Sequence, residues 1–316
     1  MKVVFVVGPT ASGKSALALD WAEKFGGVIL NADSVQIYQD LLIGSAAPSP
    51  EEKKRVPHFL FQEVAPPMRV TAGDFSRMAK AQLEVLAAGA KVPVVFVVGG
   101  TGFYLMALEK GMLPIDKADP QIQSKIEVEL TLEGGPAKLH AELAHKDPVV
   151  ATRISPQDHY RLVRALEILR RTGRRLSDIE EEHRQNAPRF PYPLLKLGVQ
   201  ADRDVLLQRV ARRAQQMLES GLVDEVRGLV DRGFADWEPL KSVGYRETLA
   251  FLKGDPAIPS EQILSGAIVA SSMRLAKKQK TWFQRDAEIL WGKPDDPSSA
   301  SRFQAALGAF LAGPSI

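Results

Sequence analysis

Two unbroken apolar runs, residues 3–7 (VVFVV) and 92–98 (VPVVFVV), punctuate a chain whose other apolar positions recur mostly every three or four residues. A β-branched run of strand length with no polar alternation predicts a parallel strand covered on both faces, whereas the three-to-four spacing predicts helices. In chain order the pattern predicts a strand over 1–7, a helix closing at Gly26-Gly27 and a short strand over 28–30. A Pro- and Ser-rich loop with a short helical turn follows over 44–57, then a helix over 72–88 ended by Gly89, then the strand over 92–98.

From Gly111 the character changes. Residues 116–186 hold no convincing strand, only helical segments over 120–132 and 136–144, and one opened by Ser155-Pro156-Gln157-Asp158. There Ser155 should cap, Pro156 take the first helical position and Asp158 sit in the first turn. A strand returns over 194–199, and Asp202 should cap a helix running to Glu219. The rest reads as helices over 221–232, around 241–246, and from a cap at Ser260 to Trp282 and Phe283. This divides the chain into an α/β part over 1–115, a helical insertion over 116–193 and a second, mostly helical part over 194–316.

Candidate chemistry gathers where strands end. Gly8-Pro9-Thr10-Ala11-Ser12-Gly13-Lys14-Ser15 lies between the first strand and the first helix, the context a P-loop requires. Gly8 and Gly13 let successive N–H groups point into one concavity beside the positive end of the helix. A di- or triphosphate suits that cradle, with Lys14 as a mobile cation and the Ser15 hydroxyl as a ligand for Mg²⁺. The second strand delivers Asp33 to the carboxyl edge of the sheet, where open α/β folds bind ligands. Asp33 could hold Mg²⁺ through water, act as a general base, or cap a turn. Thr101, in the glycine turn after the strand over 92–98, is placed to touch a substrate, and Phe103 and Tyr104 could stack on a base or pack in the core. Arg209 and Arg213 are four apart on one helix face, suited either to closing over phosphates or to solvent.

Composition then removes alternatives. The 316 residues, 45% apolar and 25% charged, suffice for a full core and a second lobe. Without cysteine there is no disulfide framework, and the five histidines stand singly, which argues against a histidine metal site. No apolar run approaches membrane-span length, and the first leads straight into the glycine loop rather than a cleavage site, so a cytoplasmic protein is expected. A net charge of +3 does not demand a polyanionic partner. Basic residues nonetheless cluster at Arg161 and Arg164, at Arg170, Arg171, Arg174 and Arg175, and at Arg274, Lys277, Lys278, Lys280 and Arg285. These are solvated helix faces or the footprint of RNA or DNA.

Taken together, GPTASGKS from Gly8, DSVQIY from Asp33, GGTGFY from Gly99, RISPQDHYRLVRALE from Arg153, SVGYRE from Ser242 and AKKQKTWFQR from Ala276 carry a resemblance. In order, and across nearly the whole chain, they resemble the tRNA dimethylallyltransferase (isopentenyltransferase) family. The resemblance implies a P-loop containing nucleoside triphosphate hydrolase-like core with a parallel sheet plus a helical insertion. It also implies transfer of a dimethylallyl group from dimethylallyl diphosphate to N6 of the adenosine 3′ of the anticodon, in tRNAs reading codons that begin with U. On that reading the loop from Gly8 to Ser15, with Mg²⁺ on Ser15, grips a leaving diphosphate rather than ATP, and Arg209 and Arg213 clamp it. Asp33 is then the base that takes the N6 proton and Thr101 orients the amine. Contacts to the tRNA anticodon stem-loop fall by resemblance on Asp33, Ser34, Val35, Gln36 and Thr101, and on Gln157, Asp158, His159, Tyr160 and Arg161. They continue on Lys241, Ser242, Val243, Gly244, Tyr245 and Arg246, and on Lys277, Lys278, Gln279, Lys280, Thr281, Trp282, Phe283 and Gln284.

The chain departs from the family's usual pattern at Ala47, where a lysine is common, at Phe59, where a second histidine commonly follows His58, and at Gln284, which replaces a frequent arginine. Lacking cysteine, it cannot form the zinc finger of eukaryotic members and is similar to the bacterial type, expected to be a monomer. Two rivals share some features. A small-molecule P-loop kinase would have the same loop and lid arginines but gives no reason for the late basic clusters. An RNA-binding NTPase switch would often show an Asp-Glu pair at a strand end, which no apolar run here has.

Overall fold

The computed structural model describes residues 1–89 and 92–313; residues 314–316 of the last sequence segment lie outside them. Among the described residues six strands form one parallel sheet: β1 Lys2–Val7, β2 Val28–Asn31, β3 His58–Phe59, β4 Val94–Gly99, β5 Leu194–Val199 and β6 Leu290–Gly292. Their order is β3-β2-β4-β1-β5-β6, with Val3 opposite Val95 on one side and Leu194 on the other.

Side chains alternate across a strand, so the unbroken apolar runs feed two cores. Val3, Phe5 and Val7 of β1 join Phe75 and Leu83 of the helix Ala72–Ala88, and Tyr104 and Leu108 of the helix Gly102–Lys110. Val4 and Val6 join Leu19 and Trp21 of the helix Lys14–Lys24, and Phe303 and Leu307 of the helix Pro297–Ala312. Each such side chain contributes about 1.5–3 kcal/mol by leaving water. A third core gathers Ile37, Tyr38 and Leu41 with the helices Arg203–Glu219, Leu222–Asp231, Tyr245–Leu252 and Glu261–Phe283.

Several local expectations are corrected. β3 has two residues and β6 three, too few for a hydrophobic pattern to register. β6 lies beyond the last helix read from the sequence, within the part read as mostly helical, and is a strand because β5 offers it an edge, with Leu197 opposite Leu290. Asp202 does precede the helix Arg203–Glu219, but its carboxylate makes no cap and binds Lys293 Nζ at 2.7 and 2.9 Å instead. Within β5, Lys196 is only 5% exposed. Its ammonium donates to Glu109 at 2.7 Å and to Asp286 and Glu288 at 2.8 Å each. Burial alone would lower its pKa, but the three carboxylates outweigh burial and hold it above the ordinary range.

The chain separates into two compact units, Met1–Glu109 with Phe190–Ile316, and Lys110–Arg189. The second unit, taken by itself, is helical in all its regular elements: Pro120–Thr131, Gly135–Lys146, Pro148–Ala151, His159–Thr172 and Leu176–Asn186. They close over Ile126, Leu139, Leu143, Leu162 and Leu166. The helix expected from Ser155 begins later. Asp158 is the cap, its carboxylate accepting from Arg161 N at 3.3 Å, while Ser155 Oγ is spent on a turn with Gln157. Several arginines of this unit are already paired with acids. Arg170 forks to Glu129 at 2.7 Å and Glu142 at 2.6 Å, Arg174 pairs with Glu182 at 2.6 Å, and Arg164 and Arg171 both pair with the fully buried Glu167. Among the described residues no helix is long and apolar enough to cross a membrane.

Candidate active site

The P-loop leaves β1 at Gly8, where a Cβ would stand 2.2 Å from the Val199 carbonyl oxygen, so only glycine lets β1 and β5 end this close together. Gly13 caps the helix Lys14–Lys24 at φ 93°, in the left-handed region that glycine occupies at little cost. Ser12 N donates to Pro9 O at 3.2 Å, whereas the amides of Gly13, Lys14 and Ser15 meet no backbone acceptor among the described residues. Those are the orphan donors of a helix start, aimed where an anion can take them. The Ser12 hydroxyl is buried in the loop without a protein partner, Lys14 Nζ makes a weak 3.4 Å contact with Pro9 O, and Ser15 is exposed.

Asp33 is set by its neighbours. Buried Asn31 accepts from Asp33 N at 2.8 Å and donates to the carbonyls of Leu60 and Asp33 at 2.9 and 3.0 Å, so its amide is spent on holding the strand end. Asp33 Oδ1 accepts from Val35 N at 2.9 Å, a turn cap, while Oδ2 takes no hydrogen bond from the described residues. Thr101 N donates to Ala32 O at 3.3 Å, and its hydroxyl accepts from Ser34 N at 3.0 Å and lies 3.2 Å from Ser34 Oγ. The ends of β2 and β4 are thereby tied together. Of the two aromatics beyond Thr101, Tyr104 is buried and stacked on Phe75 at 4.3 Å between centroids, whereas Phe103 is 45% exposed beside Trp282.

Burial is the largest influence on Lys14 and lowers its pKa to about 8, with Asp33 opposing and Arg213 adding to the fall. Burial likewise lowers Arg213, again opposed by Asp33. Two cations and one carboxylate thus face one another with an excess of positive charge. Arg209 and Arg213 divide: Arg213 lines the cavity, 3.4 Å from Ser45 O, while Arg209 braces the loop from outside through Ser12 O at 3.2 Å and is neutralised by Asp295 at 2.7 Å. The cavity holds about 540 Å³. Thr10, Lys14, Ser15, Asp33, Thr101 and Arg213 line its polar side, and Val210, Met217, Ile268 and Leu275 an apolar wall.

Other residues singled out by resemblance are placed unevenly. Lys277, Lys278, Lys280 and Thr281 are exposed on the helix Glu261–Phe283, as are Lys241 and Arg246 before and at the start of the helix Tyr245–Leu252. Gln157, His159, Tyr160 and Arg161 are exposed at the start of His159–Thr172 in the second unit. Ser34, Val35, Ser242 and Val243 line the cavity, together with the buried Gly244. Tyr245 and Phe283 are corrections: both side chains are core, Tyr245 fully buried, so neither ring is available to a partner. Gln36 is spent on the carbonyls of Ser45 and Ala46 at 3.1 and 2.9 Å, and Gln279 also turns inward. At the departures from pattern, Ala47 closes a turn through Leu42 O at 3.1 Å, Phe59 packs against the core in β3, and Gln284 is the exposed C-cap of the long helix.

Sequence reasoning passed over Asn31 and Glu225. Glu225 accepts from the amides of Leu42, Ile43 and Gly44 at 3.0, 2.8 and 3.3 Å and from Tyr245 OH at 2.7 Å, fixing the loop whose Ser45 carbonyl faces Arg213. Asn31 did carry a signal, since an amide ending a buried strand must find partners. Glu225 carried none, being one acid on an amphipathic helix.

Orphan amides, a half-buried lysine and a carboxylate at the carboxyl edge of a parallel sheet define a phosphate-handling protein of P-loop NTPase-like fold. Comparison with known proteins narrows this. The family model described as IPP transferase matches residues 36–286, and one described as isopentenyl transferase matches residues 1–67. The chain is 47% identical to the tRNA dimethylallyltransferase of Bdellovibrio bacteriovorus, covering 92% of each, and 44% identical to that of Geobacter metallireducens, again over 92% of each. The solved tRNA isopentenylpyrophosphate transferase of Bacillus halodurans superposes with a TM-score of 0.70 at 30% identity, over 98% of this chain and 96% of that one. The chain belongs to the IPP transferase family.

Proposed function

We propose that this chain transfers the dimethylallyl group of dimethylallyl diphosphate to N6 of the adenosine 3′ of the anticodon in tRNAs reading codons that begin with U. The observation that carries this reading is that, in a member of the IPP transferase family, Lys14, Asp33, Thr101 and Arg213 line one cavity. The allylic C–O bond breaks and its electron pair leaves on diphosphate. The orphan amides, Lys14 and Arg213 would stabilise that charge, and such fixed donors act most strongly where water is excluded. The N6 lone pair forms the new C–N bond. Because that lone pair is delocalised into the ring, the amine needs an acceptor for its proton, and Asp33 Oδ2 would take it. Thr101, its hydroxyl already fixed by Ser34, would orient the amine. The apolar wall suits the five-carbon chain, and the adenine must leave its stack to enter.

Mg²⁺ fits the donor set as an ion that arrives on the diphosphate. Among the described residues no group of three or more His, Asp or Glu could form a cage, but Mg²⁺ keeps waters and takes phosphate oxygens, so one exposed hydroxyl, Ser15, suffices to hold it. When bound it would supply further charge stabilisation to the leaving group. We place the anticodon stem-loop against Ser34, Val35, Lys241, Arg246, Lys277, Lys278 and Lys280, with the turn over 157–161 as a further contact. We propose that it acts as a monomer, and the substrate supports a cytoplasmic site of action.

Family membership does not favour the kinase alternative. The test mixes the purified protein with labelled dimethylallyl diphosphate or labelled ATP, each with and without unmodified tRNA. Label entering RNA only from the prenyl donor is expected. Phosphoryl transfer from ATP without tRNA would overturn the reading.

A further inference from the structure

The helix Glu261–Phe283 exposes Lys277, Lys278 and Lys280, yet Gln279 among them points inward. Its Oε1 accepts from Thr10 N at 2.8 Å and its Nε2 donates to Gly100 O at 3.0 Å. One side-chain amide therefore spans two glycine loops, the P-loop after β1 and the turn after β4 that carries Thr101. Two further features fit this contact. A Cβ on Gly100 would stand 2.2 Å from Gln279 Nε2, and a Cβ on Gly102 would stand 2.1 Å from the Trp282 ring one turn along the helix. The Thr10 amide is also withdrawn from any ligand, leaving the cradle to the loop's other amides, those of Gly13, Lys14 and Ser15 among them.

We propose that Gln279 is a positioning residue: it sets the spacing between the diphosphate cradle and the Thr101 turn, and through it the distance from leaving group to incoming amine. The inference deepens the prenyl-transfer reading and rests on it. A glutamine suits the task because both ends of its amide are used. Glutamate would offer no donor to Gly100 O and would put negative charge beside the cradle. Asparagine is one methylene short of spanning both loops, and methionine has the length without the polar atoms. Reacting atoms must be held about 3–3.5 Å apart, and a misplacement of about 1 Å costs on the order of 100-fold in rate. Slack between the loops should therefore appear in the chemical step rather than in binding. RNA docking on the flanking lysines would hold the same helix, so the nucleic acid seats the group that aligns the loops.

Two variants test this from opposite sides. Gln279→Met removes the amide, and Gly100→Ala displaces it while leaving Gln279 in place. Single-turnover transfer of label from dimethylallyl diphosphate to tRNA is expected to slow about 10- to 100-fold in each. Dissociation constants for tRNA and for dimethylallyl diphosphate should stay within about threefold of the unaltered chain, since both polar ends of the Gln279 amide are already spent on Thr10 N and Gly100 O. Gln279→Asn should be about as slow as Gln279→Met. A Gln279→Met rate within twofold of the unaltered chain would overturn the proposal, as would a loss confined to tRNA affinity, which would make Gln279 an RNA contact. If Gln279→Met does not fold, Gly100→Ala decides by the same criteria, and failure of both to fold would make the amide a structural tie only. An unaltered chain that puts no label into tRNA would sink the prenyl-transfer reading itself, before any variant is made.

Discussion

Replacing Lys14 by methionine should make the free protein more stable and disable it. Burial, partly offset by Asp33, holds the Lys14 pKa at about 8 against an ordinary 10.5. At about 1.4 kcal/mol per unit, keeping that ammonium charged costs the folded state about 3 kcal/mol. The sign follows from the direction of the shift. Below pH 8 both folded and unfolded chains carry the proton and the cost is complete; it fades as pH rises from 8 towards 10.5 and is gone above that, where neither does. Lys14→Met should therefore gain about 1–3 kcal/mol at pH 7, somewhat reduced because Asp33 loses a partner, and less by pH 10. Diphosphate reverses the balance by pulling the proton back on. Between pH 8 and 10 the unaltered chain should take up close to one proton per dimethylallyl diphosphate bound, and its affinity should fall by up to tenfold per pH unit. The ligand contributes little to this, its phosphates having their last pKa near 6. Calorimetric titration at pH 9 in two buffers of different ionisation heat counts the proton, and urea denaturation at pH 7 and pH 10 reads the stability. Uptake near zero in the unaltered chain, or equal uptake in Lys14→Met, would refute the reasoning.

Asp33→Asn keeps an acceptor for the Val35 amide but removes the base, so turnover should be abolished with tRNA affinity within a few-fold; a near-normal rate would leave Asp33 a turn cap. Replacing Lys277 and Lys278 by alanine should weaken tRNA binding and lower the slope of log affinity against log salt by about 1–2, and an unchanged slope would leave them as plain surface. Tyr245→Phe leaves the Ser45 amide without its acceptor and takes one donor from Glu225, so it should cost about 1–3 kcal/mol in urea denaturation, and no loss would show the loop to be held otherwise.

Much of this protein is legible in its residues because its information is local. The apolar runs over 3–7 and 92–98 have no polar face to offer and can only be covered strands, and Gly8 to Ser15 sits between a strand and a helix. Thr71 and Asp74 close a capping box on Ala72–Ala88, and Ser260 caps the long helix through Ile263 N, both resting on residues three apart. The failures share the opposite cause. Ser155 and Asp158 are both competent caps, and the choice between them went to Asp158 because Ser155 bonds within its own turn. β6 exists because of β5, far away in sequence. Arg164, Arg170 and Arg171 look like part of an anion-binding stripe until Glu167, Glu129 and Asp116 are brought to them.

What the amino-acid sequence determined by itself is the P-loop, the parallel α/β core and the placing of Asp33 and Thr101 at strand ends, because period, turn chemistry and glycine spacing act over a few residues. Only the tertiary structure decided that Arg213 enters the cavity while Arg209 braces the loop outside, that Tyr245 and Phe283 are core, and that Gln279 joins two glycine loops. Those outcomes depend on which distant groups meet when the sheet closes, and on the need of every buried donor, acceptor and charge for a partner once water is gone.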